Sequence, residues 1–294
     1  MPELIYCPYT DSNLSIDKCS PEHIVPLALG GMNGFEIPVS AAFNSKVGSE
    51  IDGALANDFL TLSKRNKYDI RGHSGKRPLH IVKNARNAET LAPLQVHLDQ
   101  LDGLKAWDPI SKKIVTENIP HKLSIDFQID LDLHFRFTAK VALAAGYFTY
   151  GDLFRTAVKH SDFREIMNHP SGAPPEHLSH VEALADSMFY QSDNPRMAAI
   201  RMLCKASSPY SIVGLVPSRS HLGIFAGILG DYIGMLTVPA NTSSFPNEGI
   251  FRGGHVIQLH PQKGMVRTSL MEAISLAHIA ATEANTRATQ NRHE

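Results

Sequence analysis

The chain has 294 residues, 43% of them hydrophobic and 19% charged, with a net charge of −1. These are the values of an ordinary globular protein with one large domain or two unequal ones, and they exclude a polycation that coats nucleic acid indiscriminately. Three scattered cysteines, Cys7, Cys19 and Cys204, exclude a secreted disulfide framework.

The first residues, MPELIYCPYT, lack the basic and then apolar pattern of a signal peptide. A short strand and a polar loop are expected over 1–19. Residues 22–26 read as a strand carrying Ile24 and Val25, and ALGGMNG at 28–34 reads as a loop whose glycine pair permits unusual backbone angles. A second strand is expected over 35–39. Ser40 then caps a helix to about residue 63, with an apolar stripe at Phe43, Val47, Ile51, Leu55, Phe59 and Leu62.

The rest is less regular. RGHSGK at 71–76 is a polar loop, and 78–82 has a strand pattern. Residues 87–128 mix short strands with turns. A strong helical pattern runs over 132–158 with a break expected at Gly146 or Gly151. Further helices are expected over 162–167 and 175–190. Strands are expected at 211–217, 221–229, 232–239 and 255–260, then an Ala-rich helix over 269–284 and a frayed last ten residues. The apolar runs at 212–217 and 222–229 are too short to span a bilayer. The expected class is α+β and the expected location cytoplasmic, with no membrane partner.

Charge divides the first third of the chain. Residues 1–58 carry eight acids against Lys18 and Lys46, a balance of −6, whereas 64–86 carry eight Lys or Arg against Asp69 alone. The first segment can hold a cation. The second can hold a polyanion or be a solvated connector. Lys64, Arg65, Lys67, Arg71, His73, Lys76 and Arg77 are its candidate nucleic-acid contacts. Three regions follow: a module over 1–65, a basic connector over 66–90, and an α+β domain of unassigned role over 91–294.

The chemistry concentrates in SPEHIVPLALGG and FNSKVG. Hydrolysing a phosphodiester requires a base for water and neutralisation of charge at phosphorus. A histidine near its natural pKa supplies the first, and a divalent metal on hard oxygen ligands supplies the second. Glu22 and His23 are adjacent, so a regular strand would point them to opposite faces. Asn44, Gly48 and Asp52 follow at four-residue intervals along one helix face.

Together these strings resemble the HNH endonucleases with the ββα-metal fold, in the branch that carries Glu-His. The resemblance spans about residues 5–60. It implies that His23 is the general base, that Glu22 and Asn44 are metal ligands, and that the metal is Mg²⁺ or Mn²⁺. It leaves the middle asparagine to Asn33, which would orient His23, and it gives Asp52 either metal support or a hydrogen-bonding role. Many relatives bind zinc through two Cys-x-x-Cys pairs. Here Thr10, Ser40 and Phe43 stand at three of those four positions, so no structural zinc is expected.

The implied activity is metal-dependent cleavage of DNA by a nicking or restriction and defence nuclease, with a homodimer if both strands are cut. The alternative is a catalytically silent HNH fold that binds nucleic acid or senses a ligand. His177-x-x-His180 with Glu182 has a metal-ligand spacing but lacks the glutamate of a His-Glu-x-x-His site, and Cys204 reads as core.

Overall fold

A computed structural model describes residues 3–99, 103–115, 122–170, 174–184 and 194–290. The chain is α+β, with its sheets antiparallel throughout. It divides into two compact units, Met1–Leu55 with Asp130–Glu294, and Ala56–Ile129. The expected boundaries at 65 and 90 both fall inside the second unit.

The first unit opens with a hairpin, β1 (Leu4–Cys7) on β2 (Ser12–Ser15). Next come β3 (Cys19–His23) and β4 (Glu36–Ser40), paired from Cys19 opposite Ser40 to His23 opposite Glu36. The loop between them holds a short 3-10 turn at Leu27–Leu29, closed by Gly30 at φ +79. A Cβ at Gly31 would lie 1.7 Å from the Val25 carbonyl oxygen, so only glycine fits there. Helix α1 (Ala41–Val47) follows, its first turn capped by the Ser40 hydroxyl.

The single helix expected over 40–63 is divided. A π-helical turn occupies Gly48–Asp52, α2 covers Gly53–Asn57, and α3 (Phe59–Lys67) starts afresh. The physical cause is visible at Asp58, whose carboxylate accepts the Leu60 and Thr61 amides and so caps a new helix inside the apolar pattern. The π turn buries Ile51 and Asp52 together.

The second unit continues from α3 into a five-stranded sheet of β5 (His80–Asn87), β6 (Pro93–Asp99), β7 (Gly103–Asp108), β8 (Lys113–Val115) and β9 (Leu123–Ser124). Its order is β8-β7-β6-β5-β9. One face carries Val82, Ala85, Leu94 and Val96, packed under Phe59, Leu98 and Leu104.

Back in the first unit, α4 (Leu131–Tyr150) is apolar on nearly all sides and buried. It passes Gly146, where a Cβ would meet the Phe154 ring at 2.2 Å, and stops at Gly151, φ +54. Short helices α5 (Asp152–Ala157) and α6 (Ser161–Asn168) follow. The helix expected over 175–190 is instead a 3-10 turn at Glu176–Leu178 and strand β10 (Glu182–Leu184), which pairs with β13; residues 185–190 lie outside the described set. After α7 (Pro195–Ala206) come β11 (Ser211–Pro217), β12 (His221–Ile228), β13 (Asp231–Pro239), β14 (His255–His260), β15 (Gly264–Ser269) and α8 (Leu270–Gln290).

The six strands align as β10-β13-β12-β11-β14-β15. Helices α7 and α8 cover one face through Ile200, Leu203, Cys204, Ala273 and Ala277. Helix α4 lies along β12 and β13, where Gly234 lets Thr138 approach, and it also touches β4 and the π turn. Strand β4 and the π turn therefore sit on α4. It is held to the sheet as well: the Ser211 hydroxyl donates to the Leu29 carbonyl at 2.6 Å and accepts the Leu229 amide at 3.1 Å. Among the described residues no helix is long and apolar enough to cross a membrane.

Candidate active site

Strand β3, strand β4 and helix α1 form a compact ββα arrangement. Alternation along β3 determines what each residue can do. Glu22 points inward and is 5% exposed, while Pro21 and His23 point outward.

On the outer side, His23 Nε2 lies 3.0 Å from the side-chain oxygen of Asn33 and 3.5 Å from Glu36 Oε1. Asn33 comes from the loop, and Glu36 is the cross-strand partner of His23. Glu36 is itself steadied by the Gly34 amide at 3.1 Å. The side-chain carbonyl of Asn33 is placed to accept from Nε2–H. Asn44, on α1, donates its amide to the Ser20 hydroxyl at 3.0 Å and to the Pro21 carbonyl at 3.2 Å. It is thus anchored on β3 two residues before His23, with its amide nitrogen spent on the strand.

On the inner side a different group assembles. The ammonium of Lys140, fully buried on α4, lies 2.5 Å from Glu22 Oε1 and 3.2 Å from Asp52 Oδ2. It also donates to the backbone carbonyls of His23 at 2.9 Å and Ile24 at 3.3 Å. The Tyr9 hydroxyl donates to Glu22 at 3.4 Å. Burial by itself would depress Lys140, but Asp52 and Glu22 beside it outweigh that and hold it charged above the ordinary lysine range. Burial pushes the Asp52 carboxyl up to about 6, against the pull of Lys140. Burial and the charge of Glu22 keep the Tyr9 phenol protonated.

The sequence reading grouped Glu22, Asn44 and Asp52 as metal-site residues. The structure brings Glu22 and Asp52 together, but around an ammonium rather than around Asn44. A divalent ion fits poorly between two carboxylates already bridged by a buried cation, and displacing that cation would leave it unpaired in the core. Asp52 Oδ1 has no hydrogen-bond partner among the described residues, so its carboxylate is half used. Among the described residues no group of three or more His, Cys, Asp or Glu side chains could hold a metal ion. The Mg²⁺ or Mn²⁺ implied by the resemblance has no ligand set in Glu22 and Asp52.

Two participants were missed. Lys140 had a signal, the one cation inside FTAKVALAAGYF, but nothing local to it names its partners. Glu36 had only its place at the start of the second strand. The positions at which the resemblance would place zinc ligands are used otherwise. Cys7 Sγ accepts the Ser40 amide at 3.3 Å, and the Phe43 ring lies 5.9 Å from Tyr9.

The expected nucleic-acid contacts belong to the second unit. Arg65 is turned inward, 8% exposed, donating to the Ala56 carbonyl, and burial lowers its pKa. Arg71 makes a paired contact with Asp69, and Arg77 pairs with Asp99 at 2.8 Å. Lys67 lies over the Tyr68 ring at 5.2 Å. Lys64 is half-buried, while His73 and Lys76 are exposed in or beside the RGHSGK loop. His180 Nε2 lies 2.6 Å from Asp162 and His177 Nε2 2.5 Å from Glu165, two separate contacts between α6 and the following turn.

No family model matches the chain, and neither does any curated protein or solved structure.

Proposed function

We propose that this chain is a DNA endonuclease of the HNH kind in which His23 is the general base. The observation that carries the reading is the ββα arrangement with His23 at the outward end of β3, its Nε2 held by Asn33 at 3.0 Å. His23 takes a proton from water as the water oxygen attacks the scissile phosphorus. Asn33 keeps the ring oriented. The P–O3′ bond breaks, the departing 3′ oxygen takes a proton from solvent, and a 5′ phosphate remains. Lys140 contributes by fixing the carbonyl of His23 itself, and hence the backbone that aims the ring. Glu22 and Asp52 hold Lys140 and take no part in the chemistry. One such site cuts one strand, so nicking is the expected activity, and double-strand cutting would require two copies of the chain.

The test is supercoiled plasmid incubated with wild type and with His23→Ala, in Mg²⁺, in Mn²⁺ and in EDTA. Loss of a general base lowers the rate by about 10²–10⁴-fold. Equal nicking by the two proteins sinks the assignment, and the EDTA lanes report the ion requirement independently of Glu22.

A second reading has its own observation. Capture of Glu22 by Lys140 is what a catalytically silent ββα grip would show. Plasmid binding by both proteins without nicking under any of the three conditions would select it.

A further inference from the structure

The five-stranded sheet of the second unit has two unlike faces. Val96 and its cross-strand neighbour Ala106 point into the core. The residues on either side of them point the other way. Gln95 stands opposite Trp107, His97 opposite Lys105, and Ile114 opposite Trp107 on the far strand. These side chains line a hollow of about 210 Å³. It is smaller than the ~300–1,000 Å³ that takes a drug-sized ligand and suits one planar ring. Its walls are mostly apolar, and no carboxylate lines it.

Charge bears on what would enter. Residues 56–129 carry twelve Lys and Arg against eight Asp and Glu, a net +4, while the whole chain is −1. Two cations lie on the same outer face as the hollow. Lys105 is opposite His97, and Arg86 is opposite Pro93. Along β6 the order is Pro93, Gln95, His97, so these cations occupy rows about 13 Å apart with the Trp107 row midway. A flat π-surface between two positive groups, with an amide and an imidazole at its edge, matches an unpaired base with a phosphate on either side.

We propose that this face, centred on Trp107, binds single-stranded DNA by stacking a base on the indole. The surface argument rests on the second unit alone; the choice of DNA over RNA rests on the nuclease reading. It is distinct from the basic run at 64–77, where Arg65 is buried and Arg71 and Arg77 are paired.

Trp107 is the single tryptophan of the chain, so its emission reports on this face alone. The full-length His23→Ala protein in EDTA is titrated with short oligothymidylate, an abasic oligomer of equal length, duplex DNA and the corresponding RNA. Quenching by oligothymidylate and not by the abasic oligomer is expected, weakening as salt rises. By anisotropy of labelled oligothymidylate, Trp107→Ala weakens binding about 5- to 150-fold, the range for one stacked base, and Trp107→Phe weakens it less. Equal quenching by the abasic oligomer overturns the proposal, because charge alone would then explain binding. Unchanged affinity of a folded Trp107→Phe and Trp107→Ala pair overturns it too. Tighter binding of RNA or of duplex overturns the choice of ligand. Because cleavage is disabled throughout, a missing nuclease activity leaves this measurement intact, and a missing Trp107 effect leaves the His23 assignment intact.

Discussion

Strand β3 separates two neighbourhoods that use the same chemical vocabulary for opposite ends. Outside it, His23, Asn33 and Glu36 sit where solvent and a substrate can reach them, joined by one hydrogen bond of 3.0 Å and one ion contact of 3.5 Å. Inside it, Glu22, Asp52, Tyr9 and Lys140 are sealed. There one ammonium with three hydrogens faces four oxygens within 3.3 Å. Adjacent residues in one motif can therefore differ completely in role, because a strand turns successive side chains to opposite faces.

The widest separation between the two sides comes from His23→Ala. It should lower nicking by about 10²–10⁴-fold while leaving the unfolding free energy within about 0.5 kcal/mol of wild type. A large stability loss would mean that the outer group is structural. Lys140→Ala should do the reverse, costing about 3–5 kcal/mol in urea denaturation, since it strands two buried carboxylates. If that variant fails to fold, the combination Lys140→Met, Glu22→Gln and Asp52→Asn should recover much of the loss, because the unpaired charges go with their partner.

Asn33→Ala frees the imidazole and should slow nicking about 10- to 100-fold with little change in stability. Glu22→Gln is the sharpest discriminator for its size. As a partner of Lys140 it should lower stability by about 1–3 kcal/mol and leave the rate per folded molecule nearly intact, whereas a metal ligand would lose activity at constant stability. The smallest effect concerns pH. The Asp52 carboxyl is raised in the fold from 3.8 to about 6, so the folded state favours its proton. The stability associated with that proton is complete below about 3.8 and is lost as pH rises through about 6. Melting of wild type against Asp52→Asn across that window should show the decline only in wild type.

Much of the outer group was legible because it is local. The loop with its glycine pair, the two short strands and the Ser40 cap all lie within a few residues of the motif that they shape. The inner group was not, since Lys140 is 117 residues from His23 in sequence and meets it only through tertiary packing. The same distinction explains the helix. Its apolar stripe is continuous from Phe43 to Leu62, and periodicity cannot show that Asp58 turns back to cap a new segment. The second unit reads as a basic connector followed by short strands mixed with turns, because its charges stand out more than its alternation. Yet His80, Val82, Leu94 and Val96 follow the period of a half-buried sheet once their register is known.

Lys140 also orders events in time. At a synthesis rate of about 5–20 residues per second, the segment between His23 and Lys140 takes roughly 6–23 s to make. Until α4 has left the ribosome, Glu22 and Asp52 have no ammonium to close upon, and the carbonyl of His23 has no anchor. A nascent chain holding only the motif thus holds no finished site. Competence arrives late and from a distant helix, so a fragment ending before that helix should bear the motif without its geometry.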